Sequence, residues 1–136
     1  MILENIKKAI NKPEILLRYF LALIFLSAAI FRIFFKEEAL KELVYLNLSP
    51  NLQIFLIVFE IIVGITLLFG KYIKIIYSIL ILFLIFALSW SFIFYRQNLI
   101  LNVKELFVFN VNPTDWFLHF VFLVLAIFLL QKERRK

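Results

Sequence analysis

Residues 52–95 read LQIFLIVFEIIVGITLLFGKYIKIIYSILILFLIFALSWSFIFY: two long apolar runs, Leu52–Gly70 and Tyr72–Tyr95, that meet at Lys71. Each run is close to the ~20 apolar residues that a helix needs to cross the hydrocarbon core of a bilayer. Neither alternates apolar with polar residues as a barrel strand does, so both read as helices. Gly70 stands where a glycine closes a helix C-terminus. The link between the runs is therefore minimal, and residues 52–95 are expected to form an antiparallel helical hairpin through a membrane.

Two further apolar runs lie outside this hairpin, Ile15–Phe35 before it and Thr114–Leu130 after it. The last is the shortest and would span with little tilt or in a thinned bilayer. Composition agrees: 65% of the residues are hydrophobic and the mean hydropathy is +1.01, both far from soluble usage. With two glycines and three prolines in 136 residues, little interrupts the long elements. The expectation is one all-α domain over residues 1–136, an integral membrane four-helix bundle with spans at about 15–35, 52–70, 72–95 and 114–130. Ser49-Pro50 and Asn112-Pro113-Thr114-Asp115 look like N-cap and first-turn signals for the second and fourth spans.

Orientation follows from the basic residues. Lys7, Lys8, Lys12, Arg18, Lys71, Lys74, Lys132, Arg134, Arg135 and Lys136 fall on one side of the four spans, and Arg32, Lys36, Lys41, Arg96 and Lys104 on the other. Ten against five places both termini in the cytoplasm of a multi-pass protein of the cell membrane. The same distribution explains the net charge of +6 without a nucleic-acid partner, because the charges flank apolar runs instead of forming one patch. The first run is too long for a cleavable signal peptide and lacks a small-residue cleavage site, so it is expected to remain as an anchor.

Three segments outside the spans have a pattern. Met1–Asn11 sets Ile2, Leu3, Ile6 and Ile10 against Lys7, Lys8 and Asn11, which suits a short amphipathic helix on the cytoplasmic surface; a frayed terminus is the alternative. Lys36–Leu48 has helical apolar spacing (Ala39, Leu40, Leu43, Val44), and Leu99–Phe109 is apolar but broken by Asn102, Lys104 and Glu105. Both are expected to cap the opposite membrane surface.

Ionisable groups inside a membrane are costly and usually face the interior of a bundle. Glu60 lies well inside the second span, Arg32 near the outer end of the first, and His119 about one turn into the fourth, with Asp115 one turn above it. Arg18, Ala22, Phe25, Ala29 and Arg32 recur at spacings of four and three, as do Gln53, Ile57, Glu60, Gly64 and Leu67. Each set is a heptad seam, and the small residues Ala22, Ala29 and Gly64 allow close backbone approach. An Arg32–Glu60 pair is expected where the seams meet. Ser89, Trp90 and Ser91 of the third span reach the same half and, with His119 and Asp115, would close a polar chamber. Arg32, Glu60, Trp90 and His119 are thus the candidates for binding a cofactor. The bland readings stand beside this: Arg32 snorkelling to headgroups, Glu60 as a helix fastener, His119 as a hydrogen-bonded interfacial residue, and Trp90, Trp116, Tyr95 and Tyr72 as border aromatics.

No metal site is expected, since one histidine cannot supply bis-histidine ligation and no carboxylate–histidine cluster has di-metal spacing. The absence of cysteine removes disulfide relay, thiolate and iron–sulfur chemistry.

Leu17-Arg18 with Leu21, Phe25-Leu26, Ala29 and Arg32 resembles the first span of DoxX-like membrane proteins, which carry there an arginine, a leucine/phenylalanine series, a glycine and a lysine. Phe59-Glu60-Ile61-Ile62-Val63-Gly64 with Leu67-Leu68-Phe69-Gly70 is similar to that family's second span, and Leu48-Ser49-Pro50 to its opening in some members. Ala29 replaces the usual glycine and Arg32 the usual lysine, which keeps the charge but changes its shape and hydration. The stretch from Asn112-Pro113 through Trp116 to the basic tail is also similar to MauE-type proteins, though the cysteines those carry are missing here.

The resemblance to this DoxX/DoxD/MauE group implies a four-helix membrane bundle and, for some members, a subunit role in quinone-linked oxidation of sulfur compounds. Two functions follow as expectations. One is a quinone-interacting subunit in which Arg32 or His119 donates to a quinone carbonyl and Glu60 relays a proton, with electrons brought by a partner. The other is a non-catalytic accessory or assembly subunit of a larger membrane complex. Besides the lipid bilayer, the expected partners are other membrane subunits or further copies of the chain. A transporter is disfavoured, because four spans with one intramembrane acid make a poor pathway.

Overall fold

A computed structural model describes residues 1–101 and 111–136, and gives the backbone alone for residues 9, 10, 42, 45, 94–101 and 111–116. The regular elements of the described chain are all α-helices, in the order α1 Ile2–Ile10, α2 Pro13–Phe34, α3 Lys36–Tyr45, α4 Leu52–Phe69, α5 Ile73–Leu101 and α6 Val111–Arg134. Three stretches, Pro13–Phe34, Leu52–Phe69 and Ile73–Ile93, are long and apolar enough to cross a membrane. Their apolar residues point both inward and outward: Leu21, Ala22 and Phe25 of α2 are buried while Phe20, Leu23 and Ile30 of the same helix are exposed. A helix apolar on all sides needs an apolar solvent, and the bilayer supplies it.

Helix α2 packs most extensively on α4, and α5 on α6, with lighter α4–α5 and α2–α6 contacts. The core draws on all four: Leu21, Ala22 and Phe25; Val63 and Leu67; Ile76, Tyr77, Leu80 and Leu84; Ala126 and Leu129. The expected α2–α4 seam is present. Ala22, Phe25, Ala29, Gln53, Glu60, Gly64 and Leu67 are all buried. Gly64 lies so close to α2 that a methyl group there would come within 2.5 Å of Leu26 Cγ and 3.3 Å of the Ala22 carbonyl oxygen.

Helix boundaries depart from the sequence reading in ways that backbone hydrogen bonding explains. Helix α6 is described from Val111 onward, so Asn112–Asp115, expected as its cap and first turn, already lie within it. Helix α5 likewise continues past Tyr95 to Leu101. Helix α4 starts at Leu52, so its N-cap is Asn51 and not the expected Ser49, and no side chain caps the helix. Ser49 and Pro50 instead form a turn before it: the Ser49 Oγ accepts the Asn51 N–H at 3.4 Å, and Leu52 and Gln53 donate to the Ser49 and Pro50 carbonyls at 3.1 Å, so a tight turn leads into the α-helix. Gly70 ends α4 at φ 72°, as a C-terminal glycine should.

The helical spacing expected over Lys36–Leu48 is present as α3: Ala39 and Leu43 are buried, whereas Val44, expected on the same face, is exposed. It closes with Asn47 at φ 54°, where Leu48 N–H donates to Leu43 O at 2.8 Å and Asn47 N–H to Val44 O at 3.0 Å. This is a Schellman closure with asparagine in the left-handed position. The other expected cap, Leu99–Phe109, falls largely outside the described residues.

Candidate functional site

Arg32 and Glu60 meet across the α2–α4 seam. The Arg32 Nε–H donates to both carboxylate oxygens of Glu60, at 3.0 and 3.2 Å, and the two side chains are only 12% and 6% exposed. Two heptad positions make the encounter possible. Arg32 stands in the last turn of α2 and its long stem reaches along the seam to Glu60, which is deeper along α4. Charge-assisted bonds of this kind are the strong ones, and a buried carboxylate without a partner would be costly.

Gln53, one heptad before Glu60 on the same seam, completes the cluster. Arg32 Nη1 donates to Gln53 Oε1 at 3.3 Å. In return Gln53 Nε2 donates to the backbone carbonyl of Arg32 at 3.5 Å. That carbonyl belongs to the last turn of α2, whose C=O groups lack helical partners, so one glutamine fixes both the guanidinium and the end of the helix. Gln53 was visible in the sequence only as a seam member; its burial at 3% identifies it as a site residue.

Trp90 and His119, the other two candidates, make different contacts. Trp90 Nε1–H donates to the Leu46 carbonyl at 2.9 Å, joining α5 to the α3–α4 connector at the residue that caps α3. Its ring also stacks on Phe86, 5.7 Å away. Trp90 is therefore more than a border aromatic, because its polar edge ties an orphan helix-end carbonyl. The His119 ring meets Phe122 edge-on at 6.0 Å. Of the serines expected to line the chamber, Ser89 is exposed and Ser91 donates to the Leu88 carbonyl of its own helix at 3.1 Å. Exposure takes Ser89 out of the interior, whereas the part-buried Ser91 satisfies itself on the preceding turn in the way serines in apolar helices do, and as Thr66 and Ser78 also do. The Asp115 side chain lies outside the described residues. Among the described residues, no group of three or more metal-ligating side chains gathers.

A second cluster, which sequence reasoning missed, occupies the other end of the same seam. The Arg18 guanidinium lies against Gly70, where an added Cβ would be 3.0 Å from Nη1. It thus sits at the C-terminal, electronegative end of α4. Its Nε is buried with no hydrogen-bond acceptor. Buried Tyr77 of α5 lies within electrostatic range of both Arg18 and Glu133 of α6. The two arginines of the α2 seam thus mark its two ends, one held by a carboxylate and the other by a helix terminus.

No protein-family model matches this chain, and neither a curated protein nor a solved structure is detectably similar to it.

Proposed function

We propose that the chain is an integral membrane four-helix bundle of the DoxX-like kind, with both termini on the cytoplasmic side of the cell membrane, and that it acts as a quinone-interacting subunit of a membrane redox complex. The contacts that close α2, α4, α5 and α6 on one another support α6 as the fourth span. The gathering of basic residues at the Arg18 end supports the orientation. The observation that carries the functional reading is the Arg32–Glu60–Gln53 cluster, a charged donor–acceptor set buried between helices whose outer faces are apolar. A quinone headgroup needs such a site: apolar walls, a few convergent polar groups and access from lipid. Arg32 would donate to a quinone oxygen and Glu60 exchange protons with it, and Trp90 of α5 and His119 of α6 would supply further walls of the site. The electrons come from a partner subunit, since this chain has no cysteine and a single histidine.

The accessory-subunit reading is favoured by a different observation: the described polar groups are occupied in fastening helices, Gln53 on the end of α2 and Trp90 on the end of α3. One experiment separates the two. The protein is purified from native membranes in mild detergent, and both co-purifying proteins and extracted lipophilic molecules are identified by mass spectrometry. Stoichiometric quinone that is lost in Arg32→Leu supports the redox subunit. A large complex without quinone supports the accessory subunit.

A further inference from the structure

Helix α1 touches α2 but contributes no residue to the buried core, and its described apolar side chains are exposed. Met1, Ile2, Leu3 and Ile6 are exposed, at 96, 76, 73 and 49%, and such a face is not stable in water. At 100° per residue Ile2, Leu3 and Ile6 share one arc, Lys7 borders it, and Lys8 lies with Glu4 on the opposite side. Lys12 is extended, at φ −128° and ψ 94°, before Pro13 at the start of α2. A residue before proline is kept out of the helical region, so α1 is broken off from α2 and cannot prolong that span. It stays tethered at the level where α2 leaves the membrane.

That level is also the basic end of the molecule. The contact of Arg18 with Gly70 brings the α4–α5 turn, with Lys71 and Lys74, to the start of α2. Ala126 and Leu129 of α6 share the buried core with Ile76 and Tyr77 at the start of α5, which brings the basic tail of α6 toward this end as well. Acidic headgroups are the complement of this charge, and acyl chains are the complement of the apolar arc.

We propose that α1 and the basic end around it form a docking surface for an anionic phospholipid leaflet. In this arrangement α1 lies in the headgroup layer, with Ile2, Leu3 and Ile6 toward the acyl chains and Lys7 beside the phosphates. Each lysine near such a surface changes partitioning by roughly five-fold, so Lys7 and Lys8 contribute to the preference for anionic lipid. The proposal concerns the Arg18 end and is independent of what binds at Arg32 and Glu60.

The chain has no cysteine, so a single nitroxide can be placed by Ile6→Cys in the full-length protein. The protein is reconstituted into phosphatidylcholine vesicles, with and without about one lipid in four replaced by phosphatidylglycerol, a typical anionic content for such a surface. The label is expected to be more accessible to oxygen than to an aqueous nickel chelate, and more deeply immersed when phosphatidylglycerol is present. Lys7→Gln with Lys8→Gln should weaken that dependence, and adding Lys71→Gln with Lys74→Gln should weaken it further. A label at Ile54, on the outer face of α4, should respond equally in all samples and report that the fold is intact. Equal aqueous exposure of the Ile6 label in both lipids overturns the proposal, and so does dipolar broadening between labels showing that a second copy covers the face.

Discussion

Arg32 and Glu60, 28 residues apart in sequence, share one bifurcated hydrogen bond across the α2–α4 seam, from a single Nε–H to two carboxylate oxygens. Removing either partner leaves the other ionisable group buried in an apolar interface, whereas removing both leaves none. Arg32→Leu and Glu60→Gln should therefore each lower thermal stability in detergent, and the double variant should lose less than the sum of the two. Their coupling in a double-mutant cycle should be about 1–3 kcal/mol. Strict additivity would show that the two side chains do not act as a pair in the folded protein.

Gly64 controls how closely the same two helices approach. Gly64→Ala pushes a methyl into Leu26, where the nearest carbon would be 2.5 Å away, and overpacking of this sort costs about 1–3 kcal/mol. Because most of the crowding comes from one side chain, Leu26→Ala in the Gly64→Ala background should restore part of the loss, as read from melting temperature. If the second change gives no recovery, the Ala22 carbonyl and not Leu26 limits the approach.

Trp90→Phe keeps a ring for Phe86 but deletes the donor to the Leu46 carbonyl. A lost hydrogen bond to a helix-end carbonyl should cost about 1 kcal/mol. The consequence should be local: faster hydrogen exchange over residues 46–51, with little change in α4 beyond Glu60. Uniform loss of protection along α4 would mean that the indole supports the whole helix pair and not just the connector.

The parts of this arrangement that were legible in the sequence are those that side-chain spacing encodes. The long apolar runs announced the helices, and the recurrence of Ala22, Ala29, Glu60 and Gly64 at heptad spacing announced which faces of α2 and α4 meet. What was not legible depends on backbone acceptors, which side-chain patterns do not reveal. Trp90 read as a chamber residue or a border aromatic, and not as a tie to the α3–α4 connector, because Leu46 offers only a carbonyl. Arg18 read as a cytoplasmic flanking charge because its neighbour is a glycine at a helix end. Ser91 read as a chamber residue although its own helix provides an acceptor one turn back.

Gly70 combines two constraints that a substitution can separate. Its φ of 72° lies in the left-handed region, where a residue with a Cβ costs about 1–2 kcal/mol. A methyl there would also press on the Arg18 guanidinium at 3.0–3.3 Å. Gly70→Ala should accordingly destabilise the protein by more than the conformational cost alone. The excess should vanish in an Arg18→Leu background, where the strained dihedral remains and the guanidinium does not. Thermal melts of the two single variants and the double variant in one detergent decide the matter. An equal cost of Gly70→Ala in both backgrounds would mean that Arg18 does not rest on the end of α4, and the ordering of the basic end around that contact would have to be abandoned.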